Sequence, residues 1–206
     1  MIGVYDYTVV LTYLSLLLGL GGIYAAAQDR PLPAMLCLML SGLLDAFDGR
    51  VARTKKDRTE TGKRFGIQID SLNDLVCFGV LPAAIGWSTG CEGVWFLATM
   101  SFFVLCALIR LAYFNVLEEE RQDTTNELRH CYLGVPVTAS AFVMPLFYLL
   151  ALYCALDCPA VYAAGAFVLG VLYIAPVRVK KPGLGGIAAM AVLGLAELLA
   201  LIRVML

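Results

Sequence analysis

Four aspartates, Asp45, Asp48, Asp70 and Asp74, lie at the ends of apolar runs between residues 43 and 80. On a helix Asp45 and Asp48 are i, i+3 neighbours, and Gly66, Asp70 and Asp74 recur at i, i+4, i+8, so each set shares a face. Two helices joined by the basic stretch between them would present four carboxylates to one space. Within a membrane each such carboxylate costs about 3 kcal/mol unless compensated. Protonation is one compensation. Bound divalent cations are another, and all-oxygen donors suit Mg²⁺, Mn²⁺ or Ca²⁺. Pairing of helix-end aspartates with Arg50, Arg53 and Arg64 is a third. Gly49, Ala52 and Gly66 interleave with the acids, and such side-chain-poor positions let a flat base or a phosphate come close to backbone.

The elements that must position these acids are membrane helices. Of 206 residues, 61% are hydrophobic and 15% charged, and the mean hydropathy is +0.82. A soluble domain is nearer half apolar and a quarter charged. The apolar stretches reach the length of a membrane-crossing helix without period-2 alternation, which predicts an all-α polytopic bundle rather than a barrel. Seven spans are expected, at 8–27, 32–49, 67–88, 93–116, 134–154, 158–176 and 184–204. The first is followed by others, which argues against a cleaved signal peptide. No internal repeat is evident, and one domain over 1–206 accounts for the chain.

Thirteen of the fifteen Lys and Arg fall in the segments 50–64, 110–129 and 177–182, all on one side of a seven-span topology, leaving Arg30 and Arg203 on the other. The positive-inside rule makes that side the cytoplasm, and puts the N-terminus inside and the C-terminus outside. The seven cysteines are scattered, with no CxxC pair, and read as small hydrophobes. His130 is the single histidine, so a histidine-rich zinc site and a Ser-His-Asp triad find little support; His130 itself reads as a polar loop residue. Glu118–Glu120 read as a solvated face, and Glu197 as a paired helix contact rather than a proton relay. Gly19, Gly21 and Gly22 read as small-residue helix packing.

The spacing Asp45-x2-Asp48-Gly49-x2-Ala52-Arg53-x12-Gly66-x3-Asp70-x3-Asp74 resembles the signature of the CDP-alcohol phosphotransferase family. The spacer between Arg53 and Gly66 is somewhat long for that family. Around the signature, "FGIQIDSLNDLVCFGVLPA", "LIRLAYFNV", "YLGVPVTAS" and "VRVKKP" resemble the phosphatidylserine synthase group of the family. There are departures: Tyr113 stands where that group usually has a basic residue, Cys77 where it has serine, Asn73 where it has alanine, and Ser15 where asparagine is common.

The resemblance implies a six-helix core, here with an added C-terminal span, and displacement at a pyrophosphate. An alcohol attacks the lipid-bearing phosphorus of CDP-diacylglycerol and CMP leaves. It implies that Asp45, Asp48 and Asp70 are the main ligands of two divalent cations, Mg²⁺ or Mn²⁺ with Ca²⁺ as a structural substitute. Asp74 would be the general base, and could touch a metal too. Gly49, Ala52 and Gly66 would border cytidine and phosphates, with Arg53 and Arg64 on phosphate. Serine as acceptor carries a carboxylate, for which Arg110 is the candidate partner and Asn115 a further hydrogen-bonding group; an interfacial anchor is the other reading of Arg110. Glycerol phosphate or inositol phosphate would need more cationic side chains, and Tyr113 argues against them. A divalent-cation transporter would place its acids near the midplane on broken helices. The expected setting is the plasma membrane with the site facing the cytoplasm, as a homodimer, without nucleic acid.

Overall fold

The computed structural model describes residues 3, 5–52, 54, 55, 57, 59–124, 131–180 and 184–205. Arg53 and His130 lie outside the described residues, as do Lys56, Arg58, Arg129 and Lys181.

A short 3-10 turn, Tyr7–Val9, leads into α1 (Val10–Ala27), and α2 runs Pro31–Ala52. Asp6 starts the chain's first turn by accepting from the Thr8 amide at 2.9 Å, the satisfaction an exposed first-turn N–H requires. The next rod is continuous but changes winding: α3 (Glu60–Asp74), a π-helical turn over Leu75–Val80, then α4 (Leu81–Ser88). Thr59 caps α3 by accepting from the Gly62 amide at 3.1 Å. The π turn begins one residue after Asp74, so the face carrying Asp70 and Asp74 is rephased against the apolar half of the same rod; wide turns of this kind recur at functional sites.

Helix α5 (Val94–Thr124) is followed by α6 (Ser140–Tyr153), α7 (Cys158–Ile174) and α8 (Leu184–Met205). Two three-residue strands, β1 (Cys131–Leu133) and β2 (Arg178–Lys180), pair antiparallel with Cys131 opposite Lys180 and Leu133 opposite Arg178. This small ribbon ties the α5–α6 and α7–α8 connections together, an addition to the helical bundle expected from hydropathy.

Among the described residues, four helical stretches are long and apolar enough to cross a membrane: Tyr7–Ala27, Pro31–Ala52, Glu60–Ser88 and Val94–Glu120. Two further apolar helices, Val137–Tyr153 and Cys158–Ile174, are shorter, and α8 occupies the last expected span. The helices overlap the seven expected stretches, but among the described residues only four of them are long and apolar enough to cross. The third begins at Glu60 rather than 67, the fourth reaches Thr124, and α6 begins at Ser140 rather than 134.

The core is built around the α3–α4 rod. Phe78, Leu81 and Ile85 of that rod, Met35 and Leu38 of α2, Phe103 of α5, and Tyr162 and Tyr173 of α7 are buried. Helix α1 packs closely on α2 and the rod because its contact stripe is small: a Cβ at Gly19 would sit 2.6 Å from Cys77 Sγ, and one at Gly22 2.9 Å from Cys37 Cβ. Gly21, the third glycine of that run, meets nothing within 4 Å. Gly19 and Gly22 therefore do the packing, and Gly21 does not.

Candidate functional site

The C-terminal third of α2 and the C-terminal third of α3 bring the four aspartates together. One carboxylate oxygen each from Asp45, Asp70 and Asp74 can be chosen so that all lie within 4.8 Å of one another. Asp45 faces Asp74, and Asp48 faces Asp70, each pair within electrostatic reach. Asp48 stands outside the three-residue group, and its Oδ2 instead accepts from Thr12 Oγ1 of α1 at 3.4 Å. Asp48 and Asp74 are 8% and 7% exposed.

Among the described residues, two of these carboxylates are not fully satisfied by protein. Asp70 Oδ1 and Asp74 Oδ1 are buried without a hydrogen-bond partner. A carboxylate only accepts, and the N–H groups of the surrounding helices are spent on their own carbonyls. A hard divalent cation fits this donor set. Metal–oxygen distances of about 2.1 Å for Mg²⁺ to about 2.5 Å for Ca²⁺ put ligands of one ion no more than about 5 Å apart, and the three oxygens all lie within 4.8 Å of one another. Such an ion would also remove the mutual repulsion of the acids.

The small positions border this space differently. Gly49 is exposed, and a Cβ built on it meets nothing within 4 Å, so its surroundings are open. Ala52 and Gly66 are half-buried. Arg64 is exposed on the first half of α3.

Arg110 of α5 is 7% exposed, which does not suit a side chain reaching out to a lipid interface. Its Nε donates to the Val135 carbonyl at 3.2 Å, and the guanidinium lies over Phe114 at 5.1 Å from the ring centroid. It lines a cavity of about 280 Å³ with Tyr113, Tyr173, Ala175 and Pro176. Tyr173 donates to the Val137 carbonyl at 2.9 Å and lies within electrostatic reach of both Arg110 and Asp74. The turn that holds Arg110 depends on Gly134. Its φ is +77°, and a Cβ there would lie 2.8 Å from the Tyr173 carbonyl oxygen, so neither the conformation nor the space admits another residue cheaply.

Asn115 is engaged otherwise than its sequence position suggested. Its Oδ1 accepts from Ser71 Oγ at 2.7 Å and its Nδ2 donates to Gln68 Oε1 at 3.3 Å, while Gln68 Nε2 donates to Glu119 Oε1 at 3.0 Å. This ladder fixes α5 against α3, the helix that carries Asp70 and Asp74.

Three of the departures noted in the sequence meet at one point. Cys77 Sγ lies 3.4 Å from the Ser15 carbonyl and 3.4 Å from Asn73 Oδ1, and Ser15 Oγ is 3.8 Å from the same sulfur. Ser41 Oγ donates to the Ser15 carbonyl at 3.2 Å. Ser15, Asn73 and Cys77 thus form one packed unit, with Ser41 closing it from α2. Thr12 was not visible to sequence reasoning. Its signal, a buried polar position in register with Thr8 and Ser15 on α1, becomes legible only once α2 is placed alongside.

A bundle of apolar helices around an unsatisfied carboxylate cluster beside a buried arginine defines an integral membrane protein with a polar site inside its helical array. The chain belongs to the CDP-alcohol phosphatidyltransferase family, whose model matches residues 7–177; α8 lies beyond the matched segment. It is similar to a CDP-diacylglycerol–serine O-phosphatidyltransferase of Helicobacter pylori (strain J99), 34% identical over 151 residues that cover 71% of this chain and 58% of that protein. A protein of the same name from Saccharomyces cerevisiae is 38% identical over 113 residues, covering 54% of this chain and 40% of its own length. An archaetidylserine synthase of Methanothermobacter thermautotrophicus is 33% identical over 142 residues, 68% of this chain and 54% of that protein. The matches therefore span 40% to 58% of the length of these relatives.

Proposed function

We propose that this protein moves a phosphatidyl group from CDP-diacylglycerol to the hydroxyl of L-serine, releasing CMP and forming phosphatidylserine. The observation that carries the reading is the cluster of Asp45, Asp70 and Asp74 with its unsatisfied buried oxygens, in a chain whose relatives are named for serine as acceptor. The serine hydroxyl oxygen forms a bond to the lipid-bearing phosphorus, the bond from that phosphorus to the CMP oxygen breaks, and CMP leaves with the electron pair. Divalent cations, when bound, neutralise the pyrophosphate and the charge that develops on it.

The chain's residues have separate tasks. Asp45, Asp48 and Asp70 hold two cations, Mg²⁺ or Mn²⁺. Asp74, a full turn deeper along α3, takes the hydroxyl proton. Gly49, Ala52 and Gly66 leave room for cytidine and the phosphates, and Arg53 and Arg64 contact phosphate. Arg110 grips the serine carboxylate, with its orientation fixed by the Val135 carbonyl and the Phe114 ring; Asn115 uses its second amide hydrogen. The acyl chains leave sideways between helices. In this reading the chain is one domain of seven spans with its basic segments inside, as the positive-inside rule favours, the site opens to the cytoplasmic face of the plasma membrane, and the working unit is a homodimer.

The test is purified protein with CDP-diacylglycerol and Mn²⁺ or Mg²⁺, offered serine, glycerol phosphate and inositol phosphate one at a time, with CMP release as readout. Serine alone should give CMP. Release with a phosphorylated alcohol and none with serine would overturn the acceptor and keep the reaction. An ether-linked CDP-lipid run in parallel reads the donor, since one relative is named for an archaetidyl product.

A further inference from the structure

Of the four clustered carboxylates, Asp48 differs in having a neutral donor from a helix outside the signature. Thr12 and Asp48 are 5% and 8% exposed, and the hydroxyl reaches Asp48 Oδ2 at 3.4 Å across the α1–α2 contact. A helical threonine can return its hydroxyl to the carbonyl four residues earlier, so donation to a carboxylate on another helix reflects where α1 is held. Its N-terminus is pinned beside the site: Asp6 Oδ1 accepts from the Thr8 amide, Asp6 Oδ2 pairs with Lys55 at 2.9 Å, and Tyr7 Oη lies 3.1 Å from Thr54 Oγ1. One turn deeper, Ser41 Oγ bonds the Ser15 carbonyl. The Thr12 register is fixed on both sides.

We propose that Thr12 is a positioning residue, which holds Asp48 so that one carboxylate oxygen is committed to α1 and the other is presented to a divalent cation shared with Asp70. The inference rests on the metal-dependent reading above and adds to it a separate duty for Asp48. Asp45, Asp70 and Asp74 converge without help from a hydroxyl, and two of them keep orphaned oxygens. Asp48 is set from outside that group, with Asp70 as the member the two sets of ligands share.

The experiment uses Mn²⁺ alone as probe. The full-length protein in detergent is titrated without substrates, and unbound Mn²⁺ is read by electron paramagnetic resonance. Thr12→Val, which keeps the shape and removes the donor, should weaken Mn²⁺ binding about 5-fold, the scale of one net hydrogen bond. Thr12→Ser should stay within about 2-fold of wild type for the same reason, and Thr12→Ala supplies the comparison if the valine variant does not purify. In an Asp48→Ala background the valine change should add nothing. Unchanged Mn²⁺ binding in Thr12→Val overturns the inference, as does an equal loss with Asp48 absent, which would make Thr12 a packing residue. Thr12-dependent Mn²⁺ binding in a protein that releases no CMP would keep the positioning role and remove the proposed reaction. Wild-type protein that binds no Mn²⁺ overturns both.

Discussion

The two ends of the α3–α4 rod treat buried polar groups in opposite ways. At the α4 end, Ser88 Oγ donates to the Ile85 carbonyl at 2.8 Å, Thr89 Oγ1 to the Gly86 carbonyl at 2.7 Å, and Cys91 Sγ to the Pro159 carbonyl at 3.3 Å. Tyr162 adds a bond to the Pro82 carbonyl at 2.9 Å. At the α3 end, Asp70 and Asp74 keep oxygens with no partner. The difference is one of donor against acceptor. A helix carbonyl has a spare lone pair and accepts a hydroxyl or thiol cheaply, whereas a helix has no spare N–H for a carboxylate. One end is complete by itself, and the other keeps acceptors that bound cations would satisfy.

The largest effects should come from breaking the incomplete end. Chelation with EDTA should abolish CMP release, and Mn²⁺ or Mg²⁺ should restore it; full activity in metal-free protein would refute the assignment. Asp74→Asn should cut turnover by about 10²-fold or more, the scale of a lost general base. Its affinity for CDP-diacylglycerol should change far less than in Asp45→Asn or Asp70→Asn. Equal loss of binding in all three would make Asp74 an ordinary ligand.

A change of sign should follow in stability. Without metal, Asp70→Asn removes one acid from a crowded cluster of acids and should raise the melting temperature. With saturating Mn²⁺ the same variant should melt below wild type, having lost a ligand. Thermal unfolding in EDTA and in Mn²⁺ decides it, and a variant that melts lower in both would show that Asp70 is structural.

The acceptor side should respond next. Arg110→Ala should weaken serine binding by about 2–3 kcal/mol, the scale of a charge-assisted hydrogen bond, and Arg110→Lys should raise the serine KM while that for CDP-diacylglycerol stays within about 3-fold. Gly134→Ala, forced to a φ of +77° with its Cβ 2.8 Å from the Tyr173 carbonyl, should destabilise by about 1–3 kcal/mol and shift the serine KM in the same direction. Unchanged serine KM in both Arg110 variants would return Arg110 to a structural role.

The complete end should show the smallest consequences. Thr89→Val should cost about 0.5–1.5 kcal/mol of stability and leave Mn²⁺ binding and turnover unaltered. The half-buried Asp6–Lys55 pair, outside the rod, is a control with a pH signature. Its hydrogen bonds, to Lys55 first and then to Thr8, hold the Asp6 carboxyl well below the usual carboxylate range. A lowered folded value means the contribution is present above the unfolded pKa near 3.9 and is lost as pH falls through the folded one. Asp6→Asn should therefore melt slightly below wild type at pH 7, with the gap closing below pH of about 4. A gap that persists there would show that the amide, not the charge, is at fault.

The sequence by itself determined the membrane class and the grouping of the acids, since hydropathy over tens of residues and the i, i+3 and i, i+4 spacings are local properties of a helix. It placed most helix ends to within a few residues, but missed the polar first half of α3 that continues the rod outward to Glu60, the polar end of α5 that runs on to Thr124, and the start of α6 at Ser140. Tertiary structure alone decided which groups across helix boundaries become partners. Thr12 meets Asp48, 36 positions away, and Ser15 meets Cys77, 62 away, because small residues on α1 let it approach both neighbours. Asn115, readable from sequence only as a polar residue near Arg110, is committed to Ser71 and Gln68. A hydrogen bond between helices depends on register, rotation and separation together, and spacing along one chain carries none of the three.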